Sequence, residues 1–157
     1  MNAAGMVSRA RRRFLSCCGA LMAWPPLARA QQGPDELPAL IEKLTGAKAV
    51  RDGRVVVSIP RIADNGNAVP LRVTVDSAMT AQDHVKTIHL IAEKNPRPRI
   101  AAFSLGPRAG KAEIDTRIRL NGTQRVAAVA AMSDGSHWRG VAEVDVTESA
   151  CYDATNP

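Results

Sequence analysis

Residues 69–76 read VPLRVTVD and alternate between apolar and polar side chains. The apolar members are Val69, Leu71, Val73 and Val75, and the polar members are Arg72, Thr74 and Asp76. Successive side chains of a β-strand point to opposite faces of the sheet, so a period of two is typical of a strand with one buried face. The stretch therefore predicts a strand that covers an aliphatic core.

Six further stretches have the composition of strands and are separated by short turn sequences. They are residues 55–59, 87–92, 100–105, 113–120, 124–132 and 138–147. About seven evenly spaced strands on roughly 100 residues are typical of an antiparallel β-sandwich of the immunoglobulin type, with a small barrel as the alternative. We expect an aliphatic core, because Phe103, Trp138 and Tyr152 are the only aromatic residues after residue 30.

The Asn121-Gly122 pair lies between the strand candidates 113–120 and 124–132. Asn-Gly favours the tight turn that joins two antiparallel strands, so the sequence predicts a hairpin here. Asn121-Gly122-Thr123 also has the form of a glycosylation sequon, which we interpret as part of the same turn. Residues 64–67 and 95–98 are rich in Asp, Asn, Gly and Pro and are predicted to be turns as well.

One short helix is predicted before the first strand. Leu37, Leu40, Ile41 and Leu44 recur at helical spacing within residues 35–47, and Gly46 is placed to end the helix. The expected fold class is therefore all-β, an immunoglobulin-like antiparallel β-sandwich with a short N-terminal helix.

Residues 1–30 have the three parts of an export signal. Arg11-Arg12-Arg13-Phe14-Leu15-Ser16 supplies the charge, residues 17–27 are weakly apolar, and Ala28-Arg29-Ala30 resembles a cleavage site. The paired arginines indicate the twin-arginine route, so we expect a periplasmic protein that begins at Gln31. A membrane anchor is the alternative, but the apolar run is short for a bilayer and is interrupted by Pro25-Pro26.

The basic charge of the chain belongs largely to this signal. The full chain has 21 Lys+Arg, 15 Asp+Glu and a net charge of +6, whereas residues 1–30 contain five arginines and no acid. The remaining chain is close to neutral, so its charge does not indicate nucleic-acid binding. The expected organisation is a signal at 1–30, a sandwich domain at 31–147 and a C-terminal tail at 148–157.

Cys151 is the only cysteine outside the signal, because Cys17 and Cys18 both lie within residues 1–30. An unpaired thiol in an oxidising compartment can carry a substrate covalently, link two chains through a disulfide, or have no role. Glu148 and Asp153 flank this thiol, and residues 148–157 contain no Lys, Arg or His. Nearby negative charge disfavours the thiolate and repels anions.

The histidines do not have the pattern of a metal site. Such a site needs three or four convergent ligands, whereas His84 and His89, beside Asp83, are five residues apart in an extended segment and His137 is distant in sequence. We interpret all three histidines as hydrogen-bonded or surface residues. No metal and no cofactor are expected.

Two other groups of residues have structural interpretations. Asp134-Gly135-Ser136-His137 contains the residue types of a catalytic triad, but a triad joins distant positions, and no G-x-S-x-G motif is present. We predict a turn there. Met79 and Met132 are interpreted as packing residues.

Three segments together resemble the SoxY family, the sulfur-carrier subunits of the bacterial sulfur-oxidation system. They are residues 59–70, residues 77–98 and the Met132-Ser133-Asp134-Gly135-Ser136 run before Trp138, and the likeness covers residues 34–147. The resemblance implies an immunoglobulin-like fold, periplasmic export by the twin-arginine route and a heterodimer with a SoxZ-like subunit. It also implies that Cys151 is the attachment site for sulfur intermediates, which separate oxidising cytochromes and hydrolases process. The chain itself is then a carrier and not an enzyme.

The tail departs from the usual pattern of this family, in which glycines flank the cysteine. Here Cys151 lies between Ala150 and Tyr152, and the chain ends at Pro157. Glycines make an arm thin and flexible, whereas tyrosine adds bulk and proline stiffens the chain. A binding subunit that has the same scaffold but carries no sulfur is therefore the alternative function.

Overall fold

The structure, a computed structural model, describes residues 36–149. Nine strands and one helix form this part of the chain. The helix α1 spans Glu36–Thr45. The strands are β1 (Val50–Asp52), β2 (Val55–Ser58), β3 (Ile62–Asn65), β4 (Val69–Val75), β5 (Val85–Ala92), β6 (Arg99–Ser104), β7 (Glu113–Ile118), β8 (Gln124–Met132) and β9 (His137–Glu148). Short 3₁₀ turns span Gly66–Ala68 and Pro107–Ala109. Within this range, no helix is long and apolar enough to cross a membrane.

The strands form two sheets that pack face to face. The larger sheet has the order β1-β9-β8-β5-β6, with β3 also paired to β9, and the smaller sheet has the order β2-β4-β7. All seven predicted strands are present, and the predicted β-sandwich with its N-terminal helix is confirmed. The seven predicted strands pair with one another in antiparallel orientation, as expected. β1 and β3 were not predicted, and both pair with β9 in parallel.

The core lies between the two sheets and is aliphatic, as predicted. Strand β4 alternates buried and exposed residues along its whole length, and it contributes Leu71 and Val73 to the core. The larger sheet contributes Ile88, Leu90 and Val126, each fully buried. Full burial of one such side chain stabilises the fold by about 1.5–3 kcal/mol, so this layer supplies much of the stability.

Helix α1 packs on the outer face of the larger sheet. Leu37 and Ile41 of the helix contact Ile91 of β5 and the β8 residues Ala127 and Val129. The helix ends at Gly46, whose φ of +67° lies in the left-handed region that glycine adopts without strain. The predicted stop signal is therefore confirmed.

The predicted hairpin at Asn121-Gly122 is wrong. Strand β7 pairs with β4 in the smaller sheet, whereas β8 pairs with β5 and β9 in the larger one. Gly122 has the positive φ of a tight turn, +72°, but the turn carries the chain from one sheet to the other. The fully buried Leu120 lies in this crossing and anchors it to the core. Burial of an apolar side chain has overridden the local preference for a hairpin.

Candidate functional site at the root of the C-terminal segment

Cys151, the predicted attachment site, lies outside the described residues, which end at Ser149. The described residues nearest to it in sequence are those at the end of β9. We call residues 147–149 the arm root. Glu148 is the last residue of β9, so the direction of this strand determines where the arm begins.

One side of the arm root is held by β3. This strand pairs in parallel with the end of β9, where Ala63 faces Val146 and Asn65 faces Glu148. The Thr147 hydroxyl also donates a hydrogen bond to the carbonyl oxygen of Asp64, at 2.6 Å. Residues 64–67 were predicted to be a turn, but Asp64 and Asn65 are the end of β3, where they can make these contacts.

The other side is held by the Asn121-Gly122 crossing. The Ser149 hydroxyl donates to Oδ1 of Asn121 at 3.0 Å, and the Val146 amide donates to the Thr123 hydroxyl at 3.0 Å. A Cβ atom at Gly122 would lie 3.4 Å from the Ser149 oxygen, so the crossing and the arm root are in close contact. The residues that suggested a hairpin therefore form the support for the arm root.

A polar network around the buried Gln124 side chain stiffens this support. The Asn95 side chain donates to the Arg119 carbonyl at 2.8 Å and accepts from the backbone amide of Asn121 at 2.9 Å. The Gln124 side chain, only 3% exposed, donates to Oδ1 of Asn95 at 3.0 Å and accepts from the Lys94 amide at 2.8 Å. A buried side-chain amide whose hydrogen bonds are satisfied, as those of Gln124 are here, fixes the positions of its neighbours.

Lys94 brings a positive charge to the same support. Its side-chain ammonium donates to the carbonyl oxygen of Thr123 at 2.8 Å, and its own carbonyl accepts from Nδ2 of Asn121 at 3.3 Å. The side-chain amide of Asn121 therefore contacts Lys94 through its nitrogen and Ser149 through its oxygen. The sequence analysis did not identify Lys94, Asn121 or Ser149 as site residues, because they lie far apart in the sequence.

The three histidines do not converge on a metal. Among residues 36–149, no group of three or more His, Cys, Asp or Glu side chains is placed to hold a metal ion. Nδ1 of His84 lies 3.0 Å from the Thr80 carbonyl oxygen, as expected for a hydrogen-bonded residue. His89 and His137 are partly exposed, but their Nδ1 atoms are buried and lack a hydrogen-bond partner among the described residues.

The surroundings of His89 disfavour its protonated form. Burial lowers the pKa of His89 below its usual value, and the positive charges of Arg99 and His137 lower it further. In the unfolded chain the pKa of this histidine returns to about 6.5, so the unfolded state binds the proton more tightly. Stability is therefore unaffected above about pH 7.5 and falls as the pH drops through 6.5.

Replacing His89 with glutamine should make the protein less sensitive to acid. The native protein should lose stability between pH 7.5 and 5.5. The free energy of unfolding should fall by less than about 1.4 kcal/mol per pH unit, because only one proton is taken up and the ring is partly exposed. The His89→Gln variant should lose less over this range in urea unfolding. His84→Gln is the matched control and should keep the acid sensitivity. An equal loss in both variants would contradict this role of His89.

The Asp134-Ser136 segment is a turn, as predicted. It joins β8 to β9, and the Asp134 carboxylate accepts bonds from the Ser136 hydroxyl at 2.7 Å and the Ser136 amide at 2.8 Å. These bonds lower the pKa of Asp134. The Ser136 hydroxyl also accepts from the Trp138 indole, so it orients this ring. Met79 and Met132 are buried in the core, which confirms their packing role.

Comparison with known proteins identifies the family. A family profile described as "Sulfur oxidation protein SoxY" matches residues 41–151, which is most of the chain. The chain belongs to the SoxY family. The resemblance inferred from the sequence segments is therefore confirmed, and the SoxY match ends at the cysteine of the C-terminal segment.

Solved structures agree with this assignment. The sulfur carrier protein SoxY from Chlorobium limicola f thiosulfatophilum is 27% identical to this SoxY-family chain, with a TM-score of 0.60. The match covers 73% of this chain and 99% of that one. No curated protein sequence matches the chain.

Two superoxide reductases share the fold of the SoxY family. Neelaredoxin from Ignicoccus hospitalis is 15% identical with a TM-score of 0.54, and the match covers 60% of this chain and 80% of that one. A putative superoxide reductase from Thermotoga maritima is 18% identical with a TM-score of 0.52, covering 67% and 91%. At these identities the likeness concerns the β-sandwich alone.

Proposed function

We propose that this chain is a periplasmic sulfur carrier that holds sulfur intermediates covalently on Cys151 while separate enzymes act on them. The observation that carries the proposal is the SoxY family match, which extends through residue 151 and so includes the cysteine. The relative from Chlorobium is itself described as a sulfur carrier protein. Three cysteines occur in the chain, and only Cys151 lies within the matched range.

The chemistry of loading is the formation of a sulfur–sulfur bond. The Cys151 thiol loses its proton, and its sulfur joins the outer sulfur of thiosulfate, with loss of two electrons to an oxidising cytochrome. Hydrolysis of the conjugate by a second enzyme then adds water and releases sulfate, leaving a persulfide on Cys151. The thiolate is the reactive form of cysteine, so the charge around this residue sets the loading rate.

The arm root supports a carrier role. The sandwich holds residues 147–149 through β3 and the Asn121-Gly122 crossing, so Cys151 follows two residues after a fixed point. A fixed point two residues earlier in the sequence suits a cysteine that must be presented to separate enzymes. The role assigned to this chain is therefore carriage, with catalysis supplied by its partners.

Export and pairing complete the proposal. The twin-arginine signal at residues 1–30 would deliver the folded protein to the periplasm, where sulfur compounds are oxidised. A SoxZ-like subunit would form the heterodimer. Ile62 of β3 and Val141 of β9 are 63% and 44% exposed, and such apolar side chains suit the centre of a partner interface.

The test is intact-mass spectrometry, without reductant, of protein purified from its native periplasm after growth on thiosulfate. We expect a mass increase on the C-terminal peptide that corresponds to bound sulfur or a thiosulfonate and disappears after reduction. An unmodified thiol, or only a disulfide-linked dimer, would contradict the proposal. That outcome would favour a binding subunit without a carrier role. This alternative arises because Ala150 and Tyr152, and not glycines, flank the cysteine.

A further inference from the structure

Strand β6 lies at one end of the larger sheet and pairs on one side only. In the strand order β1-β9-β8-β5-β6 its neighbour is β5, and no other strand within residues 36–149 pairs with it. A strand in this position has a row of backbone N–H and C=O groups to which another extended chain can bind. We call the side of Arg99–Ser104 that faces away from β5 the β6 edge.

The register with β5 determines which backbone groups point out of the β6 edge. The Leu105 amide donates to the Lys86 carbonyl oxygen, and antiparallel pairs alternate between bonded and non-bonded pairs from there. Ala102 and Ser104 fall in the non-bonded pairs, so their N–H and C=O groups point away from β5. Both residues are exposed. The β6 edge therefore offers the donors and acceptors that an added strand needs.

The β6 edge has little protection against such pairing. Natural proteins protect edge strands with charged side chains, prolines or bulges. The pairing of β6 with β5 has one irregularity near the start of β6, but residues 100–105, IAAFSL, contain no charge and no proline. By contrast β7, at the edge of the smaller sheet, exposes Glu113, Asp115 and Arg117. The larger sheet can therefore accept a further strand beside β6.

The surroundings of the β6 edge are basic. Residues 94–112 contain five basic residues and no Asp or Glu, although the chain after residue 30 is close to neutral as a whole. The cations nearest to β6 are exposed and form no salt bridge with a carboxylate of the described residues; they are Lys86, Arg97, Arg99 and Arg108. An added strand that carries carboxylates would neutralise them, whereas a basic strand would be repelled.

We propose that the β6 edge is a docking site for an extended acidic segment of a partner protein, which adds a strand to the larger sheet. The backbone groups of Ala102 and Ser104 supply hydrogen bonds, and the surrounding cations select for carboxylates. A second copy of this chain fits the edge less well. Antiparallel pairing of two β6 strands would bring Arg99 of one copy close to Lys86 of the other, and like charges in such positions destabilise a sheet.

The β6 edge is separate from the surface proposed for the SoxZ-like subunit. Ile62 and Val141 lie on β3 and β9, at the other end of the larger sheet. The docking site also involves neither Cys151 nor the arm root, so it goes beyond the carrier function. The proposal adds a second partner surface to the sandwich.

Backbone amide exchange, measured by NMR on the isotope-labelled full chain, tests the β6 edge. In the protein alone, the amides of Ala102 and Ser104 should exchange at least about tenfold faster than those of Ala101 and Phe103, which face β5. The probe is a synthetic peptide of about eight residues, the length of an ordinary strand, with alternating valine and threonine between terminal glutamates. This acidic peptide should slow exchange at Ala102 and Ser104. A basic peptide with lysine in place of glutamate should not.

The variant Ala102→Pro tests the hydrogen bonds of the added strand. It removes an N–H group that points away from β5, and an edge strand tolerates proline at such a position. The acidic peptide should bind this variant about tenfold more weakly, as expected for the loss of one hydrogen bond and of close approach. Ala102→Val is the matched control, because it keeps the amide, and it should bind the peptide as the parent protein does. Urea unfolding checks that both variants are folded.

The charge preference is tested by combining Arg99→Glu with Lys86→Glu, which changes no backbone group. This double variant should lose the preference for the acidic over the basic peptide that the parent protein shows at low salt. Arg61→Glu is the control. Arg61 is exposed but precedes β3, at the other end of the larger sheet, so the preference should remain. The preference of the parent protein should also disappear at about 1 M salt, where the Debye length is about 3 Å.

Three results would overturn the proposal. The first is equal binding of the two peptides, or of neither, by the parent protein. The second is binding of the acidic peptide that Ala102→Pro leaves intact. The third is protection of the Ala102 and Ser104 amides that rises with protein concentration in the absence of peptide, because it would assign the β6 edge to a second copy of the chain. Peptide binding requires no sulfur substrate, so the docking site and the carrier function can each fail while the other holds.

Discussion

Replacing Gly140 with alanine should lower the free energy of unfolding by about 3 kcal/mol, which corresponds to a fall in Tm of roughly 10 °C for a domain of this size. Gly140 lies on β9 where β2 of the opposite sheet packs against it. A Cβ atom at this position would overlap the carbonyl oxygen of Val55 and lie 3.0 Å from its carbonyl carbon. Because backbone cannot rotate away as a side chain does, β2 itself would have to shift.

That shift would disturb both the packing of β2 on the core and its pairing with β4. Val55 is buried, and it pairs with Val75 of β4 in the smaller sheet. Gly106→Ala is the matched control, because a Cβ there meets nothing within 4 Å and φ is −150°, which any residue adopts. Urea unfolding should show this variant within about 1 kcal/mol of the parent protein. Equal stability of the two variants would show that the sheets separate at Gly140 without cost.

The parts of this fold that the sequence predicted are those set by local pattern. The alternation at residues 69–76 corresponds to β4, whose residues are alternately buried and exposed. The helical spacing before Gly46 corresponds to α1, which places Leu37 and Ile41 on the sheet. In each case the period of the apolar residues predicts the element, because it determines which side of the strand or helix faces the core.

The parts that the sequence did not predict depend on partners distant in the chain. β1 and β3 have three and four residues, too few for a periodic signal, and each is stabilised by pairing with β9. The Asn-Gly turn was located correctly, but the strand partners of β7 and β8 are chosen by packing across the core. Local turn chemistry favours a reversal of the chain and does not determine which strands pair.

The candidate site also has features that the sequence predicted and features that it did not. A single cysteine near the end of the chain is visible in the sequence, and so is its acidic surrounding. The support of the arm root is not, because its bonds join Thr147 to Asp64 and Ser149 to Asn121, 83 and 28 residues apart. Ser, Thr and Asn are common in turns, so their presence alone indicates nothing about a binding role.

Replacing Cys151 with serine should abolish thiosulfate-dependent sulfur oxidation in cells that depend on this chain. Serine keeps the size of the side chain, but its hydroxyl is not ionised at neutral pH and does not form a sulfur–sulfur bond. The described sheets and core are formed by residues 36–149 and do not include Cys151, so we expect the fold to be unaffected. Unfolding of the purified variant in urea should therefore match the parent protein, while loading with sulfur is lost.

Cys17→Ser with Cys18→Ser is the matched control, since it makes the same chemical change within the proposed export signal. That variant should oxidise thiosulfate normally, because neither cysteine is expected in the exported protein. Comparing the two variants separates a covalent role from a merely structural one: a carrier needs the sulfur atom at residue 151, whereas a binding subunit needs only the sandwich. Normal sulfur oxidation by the Cys151→Ser variant would therefore contradict the carrier function and leave the SoxY scaffold in use as a binding subunit.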